Sequence, residues 1–424
     1  MKYALINGII LDGTKDMKPQ SGKVILIDGE IIEDITDEVK DGYEIIDLKG
    51  QYVMPGLINL HVHLPSSGKP KKISKVYMKM ANFILNHKVT LNIARKMCEG
   101  YALDDLKSGV TTIRTVGGGA DIDTTIRNMI NDGKIDGPRI LSSNMAISVP
   151  GGHMAGSLAY AVNNKDEARV MVDKIAEDKP DLIKIMVTGG VLDARVKGEP
   201  GEVKMSDEII KEVCDRAHEL GLRVAAHTES PLGVKNALRN GVDTIEHGAK
   251  PDDEMIKLFK EHGSMLVATL SPAMPYALFD RSVMNTSEVE QYNGQIVFNG
   301  IVECAKECLK NDIPVVLGTD TGCPYTTHYN MWREVYYYHK YVGVSNDFAL
   351  HTATLINARI AGIDKITGSI EKGKSCDLIV TKNNPLDSLV NLKDPTMVFM
   401  KGKSIIDLHI NKMPEVDDML DRYL

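Results

Sequence analysis

The sequence predicts an α/β fold in which eight parallel strands and their helices form a (β/α)8 barrel, with a small discontinuous β-sandwich built from both chain ends. Three observations carry this expectation. Residues 1–55 read as short strands closed by Pro55-Gly56; short apolar strands then alternate with longer amphipathic helices to residue 364; strand-and-turn texture returns from residue 365. The chain has 424 residues, 43% hydrophobic and 25% charged, the balance of a protein that buries a large core.

The opening segments are YALING, KVILIDGEIIEDI with a hairpin signal at Asp28-Gly29, and EIIDLKGQYVM. Eight candidate strands follow: Leu57–His63, Thr111–Thr115, Arg139–Ser143, Leu182–Val187, Arg223–His227, Thr244–His247, Met265–Thr269 and Val315–Asp320. Helical stretches such as SDEIIKEVCDRAHELG separate most of them. Eight βα units in about 300 residues match a TIM-type barrel, whose active site lies at the C-terminal strand ends. A doubly wound open sheet is the competing arrangement. The last strands come from GSIEKGKSCDLIVTK and TMVFMKGKSIIDL, and because a few strands do not form a stable sheet alone, the two ends are expected to pair. The expected units are a barrel over 56–364, a β domain over 1–55 with 365–412, and an acidic helix or tail over 413–424.

Charge and composition narrow the function. Fifty Lys+Arg against 58 Asp+Glu give a net charge of −8, so no global field favours nucleic acid or an anionic membrane. No apolar run approaches the roughly 18 residues of a membrane helix, and MKYALINGIILDG does not read as a signal peptide, so a cytoplasmic location is expected. The six cysteines form no C-x-x-C pair, and Cys304 and Cys308 share one helix face. The expected partner is a small-molecule substrate, with homo-oligomerisation left open.

Chemistry concentrates at the strand ends. His61 and His63 project to one side of a strand by its period of two and can grip one metal ion together. His227 closes RVAAHTES, His247 closes DTIEHG and Asp320 closes VVLGTDTG, so a barrel gathers all five at one mouth. Imidazole and carboxylate are donors for zinc and its neighbours, with zinc the default and manganese or iron fitting similar sets. Lys184 interrupts the apolar run Asp181–Val187, where a bare ammonium costs several kcal/mol to desolvate. A neutral amine there can react with carbon dioxide to form a carbamate, an anion able to bridge two cations; the alternative is a lysine reaching from the strand end to water.

These residues carry a resemblance. VMPGLINLHVHL, VPGGH, IKIMVTGG, HTES, IEHG, LGTDTG and GSIEKGKSCDLIV with MVFMKGK resemble, in order, the amidohydrolase superfamily, and most closely its prolidase-like and imidazolonepropionase-like branches. The resemblance implies that His61, His63 and Asp320 bind one metal and His227 and His247 a second. It implies that carboxylated Lys184 (N6-carboxylysine) bridges the two divalent ions. A metal-bridging hydroxide would then attack an amide-type carbonyl while Asp320 moves the proton to the leaving amine. The implied substrate is a dipeptide of Xaa-Pro or Xaa-Arg/Lys type, or an N-acyl amino acid. Two alternatives are a cyclic-amide hydrolase using one metal at His61, His63, His227 and Asp320, and a catalytically inactive binding barrel.

Further positions are expected around the substrate. In prolidase-like relatives His153 would match a residue near the substrate carboxylate or the polarised carbonyl. Glu229 lies two residues after His227, not three as for the proton shuttle of deaminases in this superfamily; it stands where several related peptidases carry a tyrosine for the substrate carboxylate. Glu229 would repel a carboxylate, and fits instead an amino group of the substrate or a cap on the next helix. Lys69, Lys71, Lys72 and Lys75 in one loop, and Arg195 and Lys197 in the long glycine-rich loop after Lys184, are candidate anion anchors or simply solvated charges. Tyr325 and His328 are placed where a loop after Asp320 would contact substrate. Gly117-Gly118-Gly119 lacks a P-loop lysine and is expected to line the pocket. His87, His218, His262, His339, His351 and His409 lack ligand spacing and read as surface or helix residues.

Overall fold

All eight strands expected between Leu57 and Asp320 form, at Leu57–Val62, Val110–Thr115, Arg139–Leu141, Leu182–Met186, Arg223–Thr228, Thr244–His247, Met265–Ala268 and Val315–Leu317. The computed structural model describes residues 2–70 and 87–424, so Lys71, Lys72 and Lys75 lie outside the described residues. Every pairing between these strands is parallel. Their apolar runs are buried on both faces, as parallel sheets flanked by helices require. His63 and Asp320 fall just beyond the last strand residues, not inside them.

The chain is therefore an α/β protein with parallel sheets. One sheet contains the first three strands. The other has seven, in the order Ala159–Ala161, Ala146–Ser148, Leu182–Met186, Arg223–Thr228, Thr244–His247, Met265–Ala268, Val315–Leu317. The first two of these were not expected from the sequence, because three residues are too few to show a period of two. Hydrogen bonds cross both gaps between the sheets. Asp181 N donates to Ser142 O (2.7 Å) on one side; Asp320 N donates to His61 O and His63 N to Thr321 O (both 2.9 Å) on the other.

The chain ends pair as expected. Tyr52–Pro55 lies antiparallel to Leu378–Thr381 in a five-stranded sheet that also holds Ile9–Ile10, Met397–Met400 and Lys403–Ile405. A second sheet has the order Ile31–Thr36, Val24–Asp28, Lys2–Ile6, Glu44–Asp47; its hairpin turns directly after Asp28, with Gly29 at φ 58°. Leu5, Ile25, Ile27, Val53, Leu378 and Phe399 bury into one apolar cluster shared by both sheets.

The helices start on side-chain caps at Asn164, Ser230, Asp252 and Ser287. Cys304 and Cys308 are fully buried on Glu288–Lys310, as their spacing implied. The tail is a docked helix, Pro414–Leu420: Val416 and Leu420 are buried, and the buried Arg333 guanidinium binds Asp417 (3.1 Å) and Asp421 (2.5 Å). Among the described residues no helix is long and apolar enough to cross a membrane.

Candidate active site

Strand geometry delivers the predicted histidines to one place. His61 and His63 both turn Nε2 towards Asp320 Oδ1, at 3.4 and 3.1 Å. Their other nitrogens are held from behind: His61 Nδ1 lies 2.7 Å from Glu246 Oε2, and His63 Nδ1 lies 2.7 Å from the carbonyl of Gly117. A carboxylate and a carbonyl only accept, so both rings carry their proton on Nδ1 and present a bare Nε2 lone pair to Asp320. Lone pairs facing a carboxylate with no proton between them call for a cation. Gly117, at φ 128°, makes this approach possible, because a Cβ there would stand 3.1 Å from the His63 ring.

The second pair sits beside the first. His227 Nδ1 and His247 Nε2 are 2.8 Å apart, and His247 Nδ1 is held by Thr269 Oγ1 at 2.7 Å. Ligand atoms of His61, His247 and Asp320 lie within 4.8 Å of one another; so do those of His227, Glu229 and His247. Three buried atoms here have no hydrogen-bond partner: Lys184 Nζ, His227 Nε2 and Asp320 Oδ1. Nitrogen and oxygen atoms left unpaired at the centre of a buried cluster fit divalent cations, which His227 and Asp320 could ligate directly and Lys184 only through a carbamate.

Electrostatics agree with that reading. Burial pushes His61 down to about 4 and His227 and His247 well below the usual imidazole value, so these rings are neutral at pH 7, as metal ligands must be. Burial pushes the Lys184 amine down to about 8, nearer the neutral form that reacts with carbon dioxide. His247 (φ 68°) and Asp320 (φ 54°) both adopt left-handed backbone, a conformation that costs a non-glycine residue about 1–3 kcal/mol and clusters at functional sites.

Two supporting residues were not singled out from the sequence. Glu246 accepts from His61 and from Arg114 Nη2 (2.7 and 2.8 Å) and Thr244 Oγ1 (2.7 Å), all buried. Arg114 also donates through Nε to Leu60 O at 2.7 Å, locking the first two strands together. A signal existed: Arg114 is the one charged residue of the buried strand Val110–Thr115.

The substrate candidates divide. His153 joins the cluster, its ring stacked on His227 (4.3 Å between centroids, 7° between planes). Glu229 also joins it, accepting from Val191 N at 2.9 Å, and burial with Asp320 nearby pushes its carboxyl up to about 8. Tyr325 lines a 200 Å³ cavity with Leu192, Tyr276, Val283, Glu290 and Pro324, all but Val283 and Glu290 in loops or helices that directly follow the sheet strands. His328 corrects its expectation: it is buried, with Nδ1 2.8 Å from Asp105 and Nε2 2.8 Å from Ser66 O, stacked on Tyr101, so both nitrogens are spent on structure. Arg195 is exposed, and Lys197 pairs with Glu288 at 2.5 Å. His351 closes the helix Asn346–His351 and is buried there, with Nδ1 2.8 Å from Gly13 O.

The buried histidines, Asp320 and the unpaired Lys184 form a candidate metal site, and the chain belongs to the Amidohydrolase family, whose model matches residues 52–405. Among solved structures it is similar to one from Bifidobacterium longum provisionally assigned as a prolidase (34% identity, covering 99% of this chain and 98% of that one, TM-score 0.87). It is similar also to an Xaa-Pro dipeptidase with methionine bound in its active site (29%, 96% and 100%, TM-score 0.82). Curated relatives include ochratoxinase of Aspergillus niger (24% over 381 residues, 83% of this chain and 75% of that one) and imidazolonepropionase of Picrophilus torridus (24% over 423 residues, 94% and 96%).

Proposed function

We propose that this chain is a divalent-metal-dependent hydrolase that cleaves the amide C–N bond of a small substrate, a dipeptide or N-acyl amino acid. The observation that carries the reading is the unpaired Lys184 Nζ buried beside His61, His63, His227, His247 and Asp320. His61, His63 and Asp320 would hold one ion, His227 and His247 the other, and Lys184, as a carbamate, both. Ions so bound lower the pKa of water towards neutrality and polarise the scissile carbonyl.

The protein's own groups do the rest. Asp320 takes the proton of the attacking water and passes it to the leaving nitrogen, from a buried position where little solvent competes. His153, stacked beside His227, faces the substrate carbonyl or carboxylate. The cavity at Tyr276 and Tyr325 receives a substrate side chain, and Glu229 meets a substrate amino group. The two solved structures named above, a prolidase assignment and an Xaa-Pro dipeptidase, support the dipeptide class.

The same reading covers the architecture. The Val62–Thr321 bridge on one side and the Asp181–Ser142 bond on the other support closure of the two parallel sheets into one (β/α)8 barrel over 56–364. The shared apolar cluster supports one discontinuous β domain over 1–55 with 365–412. The test is a screen of metal-reconstituted protein against dipeptides, N-acyl amino acids and cyclic amides. Turnover of the first two classes, abolished in Asp320→Asn, is expected; turnover of cyclic amides alone would favour the one-metal alternative.

A further inference from the structure

His153 and the loop after the Lys184 strand meet at a contact that the proposed mechanism does not use. His153 Nδ1 lies 2.5 Å from Asp193 Oδ2, and the same oxygen accepts Gly190 N at 3.0 Å. The loop is thus held on two sides: by Asp193 to His153, and by Val191 N to Glu229 Oε2 at 2.9 Å. Its backbone passes between those groups, and a Cβ on Gly190 would stand 3.3 Å from the His153 ring and 3.6 Å from the Glu229 carboxylate. Further out the loop is fixed by Asn293, which accepts Gly198 N (2.8 Å) and donates to Val196 O (2.9 Å).

We propose that Asp193 is a positioning residue for His153: its carboxylate accepts a hydrogen bond from Nδ1–H, fixes the tautomer and leaves Nε2 as the bare nitrogen facing substrate. The argument is geometric. Stacking on His227 fixes the ring plane, and a partner that only accepts fixes which nitrogen carries hydrogen. Without Asp193 the ring keeps its stacking but loses the preference between its two tautomers. The catalytic part of this inference rests on the reading of His153 as a substrate-facing group; the tautomer part does not.

Two measurements on the metal-loaded full chain keep the parts separate. In protein labelled with 15N-histidine, the signals lost in His153→Asn identify this ring. Wild type is expected to show protonated Nδ1 and bare Nε2, and Asp193→Ala a mixed or reversed tautomer with unchanged metal content and melting temperature. Asp193→Asn, an isostere, provides the same comparison if the alanine variant does not fold. An unchanged His153 spectrum in both variants overturns the proposal, whether or not any substrate is known. With a dipeptide that wild type cleaves, Asp193→Asn is expected to lower kcat on the order of tenfold, and to add nothing in a His153→Asn background. Additive losses would make Asp193 a loop staple only. Absence of dipeptide turnover in wild type would count against the proposed function and leave the tautomer result standing.

Discussion

Glu246 Oε2 stands 2.7 Å from His61 Nδ1 while the same carboxylate takes two bonds from Arg114, so one buried anion orients a candidate metal ligand and neutralises a buried cation at once. Burial alone would raise this carboxyl, but Arg114 first and then His61 hold it far below its usual range, so it is an anion throughout the working pH range. Glu246→Gln retains the shape and loses the charge. The expected result is a 10–100-fold weaker hold on metal, read by competition with a chelator, because the ring is no longer pinned and its nitrogen is less basic.

Arg114→Met tests the other end of the same contact. It leaves Glu246 buried with its charge uncompensated on that side, and the expected cost is about 3–5 kcal/mol of stability by denaturant unfolding of the metal-free chain. The double substitution Arg114→Met with Glu246→Leu removes both charges and should recover much of that loss.

Asp123 gives a pH-dependent outcome. Its carboxylate is fully buried, and burial, opposed by a hydrogen bond from Thr115, pushes it from 3.8 up to about 6. Its folded pKa is raised, so between those values the folded state binds more protons than the unfolded one, and stability falls as pH rises through the window. Asp123→Asn should therefore be more stable than wild type by roughly 3 kcal/mol at pH 7, with the difference vanishing below about pH 4. Melting temperature measured against pH reads this directly.

His328→Ala separates structure from contact with substrate. It breaks bonds to Asp105 and Ser66 O in a buried setting, each worth about 1–3 kcal/mol when a partner is left unsatisfied. Lower stability with KM unchanged in the folded fraction is expected; a raised KM alone would return His328 to the substrate site.

What was legible in the sequence follows from which signals are local. Eight strands announce themselves by apolar runs at regular spacing, and His61, His63, His227 and His247 by their place at strand ends. Ala146–Ser148 and Ala159–Ala161 are too short to carry a period. Glu246 was invisible as a partner because its role depends on Arg114, 132 positions away in the chain, and only folding brings the two together. His328 misled for the same reason. Its place after Asp320 suggested the pocket, while its partner Asp105, 223 positions away, draws it into the structure beneath. Asp193 carries no signal of its own in the sequence, and only the fold sets it against His153, 40 positions away.

The central claim is that Lys184 helps to hold a second ion. The direct test is the number of divalent ions bound per chain, by elemental analysis after reconstitution in bicarbonate buffer, for wild type and Lys184→Ala. About two ions in wild type and about one in the variant are the predicted result. One ion in both, with the lysine indifferent, would contradict the account.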